Sequence, residues 1–231
     1  MIRIRSFTGL AALVSVMAAG AAGCGGDDET TATDTETTAT SSLKVGLVAD
    51  AGQLNDNGFN ELAFKGLKRA ERELGITGRV VETKSAADYV PNMSTLARQG
   101  FDLIIGVGFA QGDAIAAAAK KFPDTNFAII DVDQAFLKGK PTNVQGLLFR
   151  EEQVGYLVGY LGALEAKRAG GKAISAVGGF KEPPVDRFIA GYKAGAQSAV
   201  PGTTVRWDYS QDWDDQAKCK ELALNQIAAG S

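Results

Sequence analysis

Residues 43–70 read LKVGLVADAGQLNDNGFNELAFKGLKRA, and this stretch decides the fold. A strand is predicted over Lys44 to Ala49, because the apolar run is short and bounded by polar residues. A helix is predicted to begin near Asp56, where Asp56 or Asn57 can cap the first turn. Apolar residues then recur at helical spacing to the end of the stretch. The stretch therefore predicts a strand–loop–helix unit.

The loop of this unit carries three side chains of the kinds that bind small molecules. They are a carboxylate (Asp50), an amide (Asn55) and an aromatic ring (Phe59). All three lie at the carboxyl end of the predicted strand, which is the edge where ligands bind in open α/β sheets. The sequence therefore predicts a ligand site at this edge.

Strands and helices alternate along the rest of the chain. After the first unit, the predicted elements are strand Arg79–Lys84, helix Tyr89–Gln99, strand Phe101–Val107, helix Gln111–Phe122, strand Asn126–Asp131, strand Asn143–Phe149, helix Glu151–Lys167, strand Lys172–Val177, helix Val185–Val200, strand Thr203–Tyr209 and helix Asp214–Ala229. This alternation predicts an α/β fold in which helices cover parallel sheets and the crossovers are right-handed. Residues 43–150 are expected to form an N-terminal ligand-binding lobe. Residues 151–231 are expected to form an inter-lobe helix and an incomplete second α/β lobe.

The helix predicted over Glu151 to Lys167 is apolar around most of its girth. A helix of this kind is normally buried, so we expect it between the two lobes. It is a poor candidate for a membrane span, because its apolar part is too short and both ends carry charge.

The composition excludes several functional classes. The chain has no histidine, which removes Ser-His and Cys-His pairs, HExxH zinc sites and histidine general bases. The formal net charge is −3, and the basic residues are scattered rather than clustered as nucleic-acid binding requires. The chain has two cysteines, and Cys219 is expected to be a small, partly buried helix residue.

The first 42 residues are predicted to be a targeting segment and a tether. Residues 1–23 have a positive start, an apolar run and a small-residue cleavage site, as signal peptides do. Cys24 follows Ala-Ala-Gly, which resembles a bacterial lipobox whose cysteine is lipidated; the alternative is an ordinary secretory signal with a chance cysteine. Residues 24–42 lack large apolar side chains, which predicts a disordered tether.

Five stretches carry a family resemblance and occur in the right order. They are DAGQLNDNGFN (50–60), NFAIIDVD (126–133), NVQGLLFREEQVGYLVGYL (143–161), VGGFKEPPVDRFIAGYKAG (177–195) and YSQDWDD (209–215). The chain thereby resembles the basic membrane protein (BMP) family of substrate-binding lipoproteins, whose better-known members capture purine nucleosides for ABC transporters. The resemblance implies a periplasmic-binding-protein-like type I fold with two Rossmann-like lobes and a ligand cleft between them.

The resemblance also implies ligand-binding residues in the first lobe. Asp50 and Asp131 fall on the family's ligand-binding aspartates, and carboxylates accept hydrogen bonds from hydroxyl and amino groups. Phe59 falls on an aromatic residue that stacks on the purine base. Asn60, which follows it, is expected to contact either the ligand or the loop backbone. Asp133 shares the predicted sheet edge, but a helix cap or a solvated charge is the alternative for any loop carboxylate.

The second lobe offers two aromatic residues, Phe180 and Trp213, on the loops that follow its strands. A second ring would hold the base from the opposite side, and the sequence does not choose between them. Trp213 stands where the family pattern usually has phenylalanine, so the ring there is larger.

A glycine-rich segment at residues 106–112 follows a strand and opens a helix, as dinucleotide-binding fingerprints do. Its spacing is GxGxxxG, one residue longer than usual, and it follows the third strand rather than the first. The simpler interpretation is that small residues let the backbone approach a ligand in the cleft. No cofactor and no metal are therefore expected.

These features favour an extracytoplasmic lipoprotein, anchored to the cell membrane through Cys24, that captures a small polar solute for an ABC permease. The resemblance makes a purine nucleoside the expected solute. The alternative is a binding or sensor lipoprotein of the same fold for a sugar or another solute. An enzyme, such as a nucleoside hydrolase or a dehydrogenase, is disfavoured by the missing histidine and cofactor fingerprint. The chain stops after two strand–helix units of the second lobe, so we expect it to be a fragment.

The lipobox yields the first testable prediction. Cys24→Ser should move the protein from the membrane fraction to the soluble fraction without unfolding it, because an acyl chain is the expected attachment. Fractionation followed by immunoblotting measures this, with Cys219→Ser as the control that should stay on the membrane. Equal membrane retention of Cys24→Ser and wild type would refute the lipid anchor.

Overall fold

A computed structural model describes residues 43–231. The predicted signal peptide (1–23), the lipidation site Cys24 and the predicted tether (24–42) lie outside the described residues.

The first lobe is built on a sheet of five parallel strands in the order β2-β1-β3-β4-β5. The strands are β1 (Lys44–Ala51), β2 (Thr77–Thr83), β3 (Leu103–Gly106), β4 (Asn126–Ile130) and β5 (Val144–Leu147). Strand β1 is hydrogen-bonded on both sides, and its residues 45–49 are all buried. A continuous buried run is what a strand needs when helices cover both faces of its sheet.

Three helices cover the two faces of this sheet: α1 (Phe59–Leu74), α2 (Tyr89–Arg98) and α3 (Gly112–Lys121). Leu67 of α1 packs against Leu47 of β1 in one apolar cluster. Met93 of α2 and Ile115 of α3 belong to a second cluster that includes Ile104 of β3. The predicted α/β fold with parallel strands is therefore confirmed.

The second lobe consists of α4 (Glu151–Arg168), β6 (Ala173–Gly178), α5 (Pro183–Ala199), β7 (Thr204–Tyr209) and α6 (Gln216–Ala228). Strands β6 and β7 pair in parallel over their full length. Ile174 of β6 packs with Ala163 of α4 and Ala196 of α5 to form a small core. The order of elements agrees with the predicted alternation.

The first helix begins later than the sequence pattern suggested. Gly58 occupies the N-cap position, and α1 starts at Phe59 rather than near Asp56. Asp56 still caps the helix from outside it, because its carboxylate accepts hydrogen bonds from the backbone N–H groups of Gly58, Asn60 and Glu61. Burial alone would raise the pKa of Asp56, but these hydrogen bonds outweigh burial and lower it.

The prediction that α4 is buried on most sides is wrong for the described residues. The helix buries a narrow face, and its large apolar residues on the other sides are exposed, including Val154, Leu157, Val158, Leu161 and Leu164. Apart from Glu151 at its start, the buried face is made of the small residues Gly155, Gly159 and Ala163, which allow α5 to approach very closely.

Glycines make the close crossing of α4 and α5 possible. A Cβ atom added at Gly159 would lie 1.9 Å from the backbone oxygen of Tyr192, and one added at Gly155 would lie 2.1 Å from that of Phe188. On the other helix, a Cβ atom at Gly195 would lie 1.9 Å from the backbone oxygen of Tyr156. Both backbones therefore need glycine where they cross.

Within residues 43–231, no helix is both long enough and apolar enough to cross a membrane. Cys219 lies on α6, as expected, but it is exposed rather than partly buried. Gln226 is the buried residue of that helix, so the cysteine lies on a turn that the rest of the lobe does not cover.

The helix crossing yields a stability prediction. Gly159→Ala should lower the free energy of unfolding by about 1–3 kcal/mol, because the added methyl group forces two packed backbones apart. Gly66→Ala is the matched control: an added Cβ there meets no described atom within 4 Å, and alanine favours the helix by about 0.5–1 kcal/mol. Urea unfolding measures the free energy of unfolding of both variants. The close crossing would be contradicted if Gly159→Ala stabilised the protein as much as Gly66→Ala does.

Candidate ligand-binding cleft

A cavity of about 500 Å³ lies where the carboxyl ends of strands from the two lobes meet. The lining comes from the loops after β1, β3, β4, β6 and β7 and from the first turns of α1 and α5. Among the predicted ligand-binding residues, those that line the cavity are Asp50, Phe59, Asn60, Asp131 and Trp213. The exposed loop residue Asn55 is not part of the lining.

Asp50 is held in place by groups from three parts of the first lobe. Its Oδ1 accepts hydrogen bonds from the Tyr89 hydroxyl and from the Ala51 backbone N–H. Its Oδ2 lies against Gly108, where an added Cβ would be 2.8 Å away. Burial, the hydrogen bond to Asp50 and the charge of Asp50 together raise the pKa of Tyr89, so the phenol stays protonated and remains a donor.

The glycine-rich segment at 106–112 is explained by this contact. Gly108 has a φ of +98°, which favours glycine, and a side chain there would collide with the Asp50 carboxylate. The segment thus lets the backbone after β3 approach the cleft closely, and Gly108 and Phe109 both line the cavity.

Asn60 is buried and binds the loop backbone, one of the two alternatives that the sequence left open. Its Oδ1 accepts a hydrogen bond from the Asp50 backbone N–H at 2.8 Å. Its Nδ2 lies 3.4 Å from the Asp50 carbonyl oxygen and 3.5 Å from that of Gln53. Asn60 therefore fixes the end of β1 against the start of α1.

Gln111 is a second buried polar residue that the sequence did not identify. Its Nε2 donates to the carbonyl oxygens of Val48 and Val107, at 3.0 and 2.9 Å. Val48 belongs to β1 and Val107 follows the last residue of β3, so Gln111 ties these neighbouring strands together near the cleft. In the sequence, the only indication of this role was a single amide side chain within the glycine-rich segment.

Asp131 combines an unusual backbone with an unpaired buried carboxylate. Its φ is +71°, its side chain is 5% exposed, and its Oδ1 has no hydrogen-bond partner among the described residues. Burial and the nearby Glu151 raise its pKa to about 6, although Arg187 works in the opposite direction. A side chain in this state is ready to bind a donor, and such strain tends to be found at functional sites.

Asp133 has a different position from its neighbour. Its carboxylate accepts a hydrogen bond from the Ala135 backbone N–H and caps a short 3₁₀ turn, and the residue does not line the cavity. The capping alternative for Asp133 therefore describes its contact in this structure.

Aromatic residues from both lobes line the cavity: Phe59 and Phe109 from the first lobe, and Phe188 and Trp213 from the second. Phe59 from the first turn of α1 is 48% exposed, and Trp213 from the loop after β7 is 58% exposed. Phe180 does not line the cavity, but its ring centroid lies 5.6 Å from that of Trp213, so it supports the tryptophan from the side. A Cβ atom at Gly179 would lie 2.3 Å from the Trp213 ring, so glycine is required beneath it.

The lining from the second lobe, which we call the second-lobe wall, comprises residues 177–179, 182, 184, 185, 188, 213 and 214. Backbone hydrogen bonds from Ser210 to Gly178 and from Gln211 to Gly179 join its two loops. Glu182 and Phe188 belong to this wall and were not identified from the sequence, because the residues around them only indicated the start of a helix. Burial and the charge of Asp50 raise the pKa of Glu182.

The cavity is acidic, and its chemistry is that of a binding site. The described residues that line it include five carboxylates and no lysine or arginine. Among residues 43–231, no group of three or more Asp, Glu, His or Cys side chains is placed to hold a metal ion. The arrangement can accept several hydrogen bonds and cover flat apolar surfaces of a small molecule.

Parallel strands in two lobes, with a cleft at their carboxyl ends, are typical of solute-binding proteins with a type I fold. A crystal structure of an ABC transporter solute-binding protein from Aeropyrum pernix K1 is similar, with a TM-score of 0.71 and 30% identity. The similarity covers 81% of this chain and 53% of that chain. The predicted fold class is confirmed.

The Bmp family, described as PnrA-like ABC transporter substrate-binding proteins, matches residues 43–230. The ABC transporter nucleoside-binding protein BmpA of Lactococcus lactis subsp. cremoris is 33% identical over 213 residues, 90% of this chain and 58% of that protein. An uncharacterized lipoprotein of Pyrococcus horikoshii is 34% identical over 195 residues, 82% of this chain and 47% of that protein. The chain belongs to this family of PnrA-like substrate-binding proteins.

The family consists of solute-binding proteins, in agreement with the prediction that the chain is not an enzyme. The chain spans about half to three fifths of the length of the curated relatives that it matches.

The state of Asp131 yields a prediction about pH and stability. The raised pKa means that folding favours the protonated form of Asp131. The contribution of this form to the free energy of unfolding is complete below about pH 4 and is lost as the pH rises to about 6. Asn is always uncharged and tolerates a positive φ. Asp131→Asn should therefore match wild type at pH 4 and be more stable at pH 7, by up to about 3 kcal/mol.

Urea unfolding at the two pH values measures this difference. The control is Asp124→Asn, which removes an exposed carboxylate and should change stability by no more than about 0.5 kcal/mol at either pH. A stability difference between Asp131→Asn and wild type that does not change with pH would show that the charge of Asp131 does not limit stability.

Proposed function

We propose that this protein is an extracytoplasmic lipoprotein that captures a purine nucleoside in the cleft and delivers it to an ABC permease. The observation that carries this proposal is that exposed aromatic rings from different lobes, among them Phe59 and Trp213, line one cavity. A purine is a flat, apolar ring system with polar edges, and aromatic side chains bind such rings by stacking.

The carboxylates of the first lobe suit the polar part of a nucleoside. Asp50 and Asp131 line the same cavity as the two rings. Ribose hydroxyls and the amino or imino groups of a base are donors, and carboxylates are acceptors. Oδ1 of Asp131 has no hydrogen-bond partner in the part of the chain that the structure describes and can accept such a donor, while Tyr89 orients Asp50.

The family supports the transport role, and the relatives support the ligand. PnrA-like proteins serve ABC transporters, and the Lactococcus relative is described as nucleoside-binding. The Pyrococcus relative is described as a lipoprotein, which agrees with an anchor at Cys24 on the extracytoplasmic face. Closure of the two lobes about the ligand would present a distinct surface to the permease.

The second candidate is a protein of the same fold that binds a sugar or another small solute, for transport or for sensing. The acidic lining favours this candidate as well, because sugars also bring many hydroxyl donors. The two candidates differ in whether binding needs the aromatic rings.

The ligand prediction follows from that difference. Phe59→Ala should weaken guanosine and adenosine binding by about 1–3 kcal/mol, the range for a lost stacking contact with a base. Ribose should bind poorly to wild type and should not respond to the substitution. Isothermal titration calorimetry with the three compounds measures these affinities.

Phe136→Ala is the matched control, since it truncates an aromatic residue that is 86% exposed and does not line the cavity. It should leave all affinities unchanged. If ribose binds as tightly as the nucleosides, or if Phe59→Ala leaves nucleoside affinity intact, the sugar-binding candidate replaces the nucleoside.

A further inference from the structure

We propose that Glu182 is a specificity-determining residue of the cleft, which admits ligands with positive charge or hydrogen-bond donors at the second-lobe wall and rejects anionic ones. The proposal rests on the proposed capture of a nucleoside and specifies which nucleoside derivatives the site accepts. It predicts that a phosphate on the ligand is the least tolerated group.

The backbone holds Glu182 firmly at the edge of the cavity. The residue precedes Pro183 and Pro184 and has extended backbone angles, φ −128° and ψ 154°. A residue before proline is restricted to this region, so Glu182 cannot move away by joining the helix. The restricted backbone keeps Glu182 among the residues that line the cavity.

Helix capping does not explain this glutamate. Glu182 occupies the N-cap position of α5, but its side chain forms no capping hydrogen bond. The two prolines that begin the helix have no N–H group, so the first turn offers fewer donors to a cap. Among residues 43–231, the Glu182 carboxylate has neither a hydrogen bond nor an ion pair, which leaves it available to a ligand.

Glu182 lines the same cavity as Asp50 and Asp131 of the first lobe. Its charge acts on Asp131 and on Tyr89, and the charge of Asp50 acts on Glu182 in turn. A donor or a cation placed between Glu182 and Asp50 would relieve their repulsion, whereas an anion would add to it. The unpaired Oδ1 of Asp131, which is buried in the same cavity, strengthens this preference.

No cation of the described lining offsets these charges. Arg187, whose charge acts on Asp131, has its Nη1 2.9 Å from Oε2 of the buried Glu151. Its charge is therefore already shared with a carboxylate that is not part of the lining. A phosphate entering the cavity would meet carboxylates without the arginine that usually binds such a group.

The test compares three ligands that differ only at the 5′ position of the ribose: guanosine, guanosine 5′-monophosphate and 5′-amino-5′-deoxyguanosine. In wild type, the neutral and cationic compounds should bind and the phosphate should bind at least 100-fold more weakly. Glu182→Gln keeps the shape of the side chain and removes its charge. It should therefore lower the ratio of the Kd for the monophosphate to the Kd for guanosine by about tenfold. Calorimetry at low salt measures the ratio.

Glu82→Gln is the matched control, because it removes the same charge from an exposed position on β2 outside the cavity. It should leave the ratio within twofold of wild type. The proposal is overturned if the ratio of the two Kd values is the same in Glu182→Gln as in Glu82→Gln. Wild type that binds the monophosphate as tightly as guanosine also overturns it, while nucleoside capture stands.

A second ligand pair separates failure of this proposal from failure of the proposed function. If wild type binds ribose but no nucleoside, nucleoside capture fails, and ribose against ribose 5-phosphate then tests Glu182 by the same ratio. A tenfold narrowing with that pair supports the role of Glu182, and an unchanged ratio overturns it. If wild type binds none of these compounds, both proposals are overturned.

Discussion

The first lobe depends on a group of hydrogen bonds at the carboxyl end of its central strand. Asn60 binds the backbone of Asp50, Tyr89 donates to the Asp50 carboxylate, and Gln111 donates to the Val48 carbonyl. These three residues come from the starts of α1 and α2 and from the turn before α3, so each helix is fixed to β1 beside the cleft. A ligand would meet a wall whose side chains are already ordered, and binding to an ordered wall costs less conformational entropy.

Two carboxylates of the cleft have no ion-pair partner within residues 43–231. Such an arrangement favours ligand binding over stability. Asp131 is buried with a left-handed backbone, and within residues 43–231 its Oδ1 has no hydrogen-bond partner, while Glu182 lines the same cavity as Asp50 with no ion pair in that range. Each of these features destabilises the fold, because a charge that loses water needs compensation from elsewhere. Donors on a ligand can supply that compensation, so the same carboxylates favour ligands that carry donors.

The crossing of α4 and α5 sets the electrostatics of the cleft as well as the packing of the second lobe. Glycines bring the two helix backbones into contact, and this contact places Arg187 of α5 beside Glu151 of α4. Arg187 is close enough to Asp131 to oppose the rise in the pKa of that carboxyl. Its guanidinium is nevertheless paired with the carboxylate of Glu151. The glycines of this crossing therefore determine the position of α5. They also determine the position of the part of the second-lobe wall that lies at the start of this helix.

The sequence by itself determined the order of the strands and helices and the parallel pairing that alternation implies. It also indicated that Asp50, Asp131 and Phe59 lie at one cleft, because the carboxyl ends of parallel strands share an edge, but it did not choose between Phe180 and Trp213. It did not reveal the roles of Tyr89 and Gln111, whose partners lie 39 and 63 residues away along the chain. Nor did it reveal which side of α4 is covered or that Glu182 lines the cleft. Those properties depend on distances between elements that are remote in sequence, and only tertiary packing decides such distances.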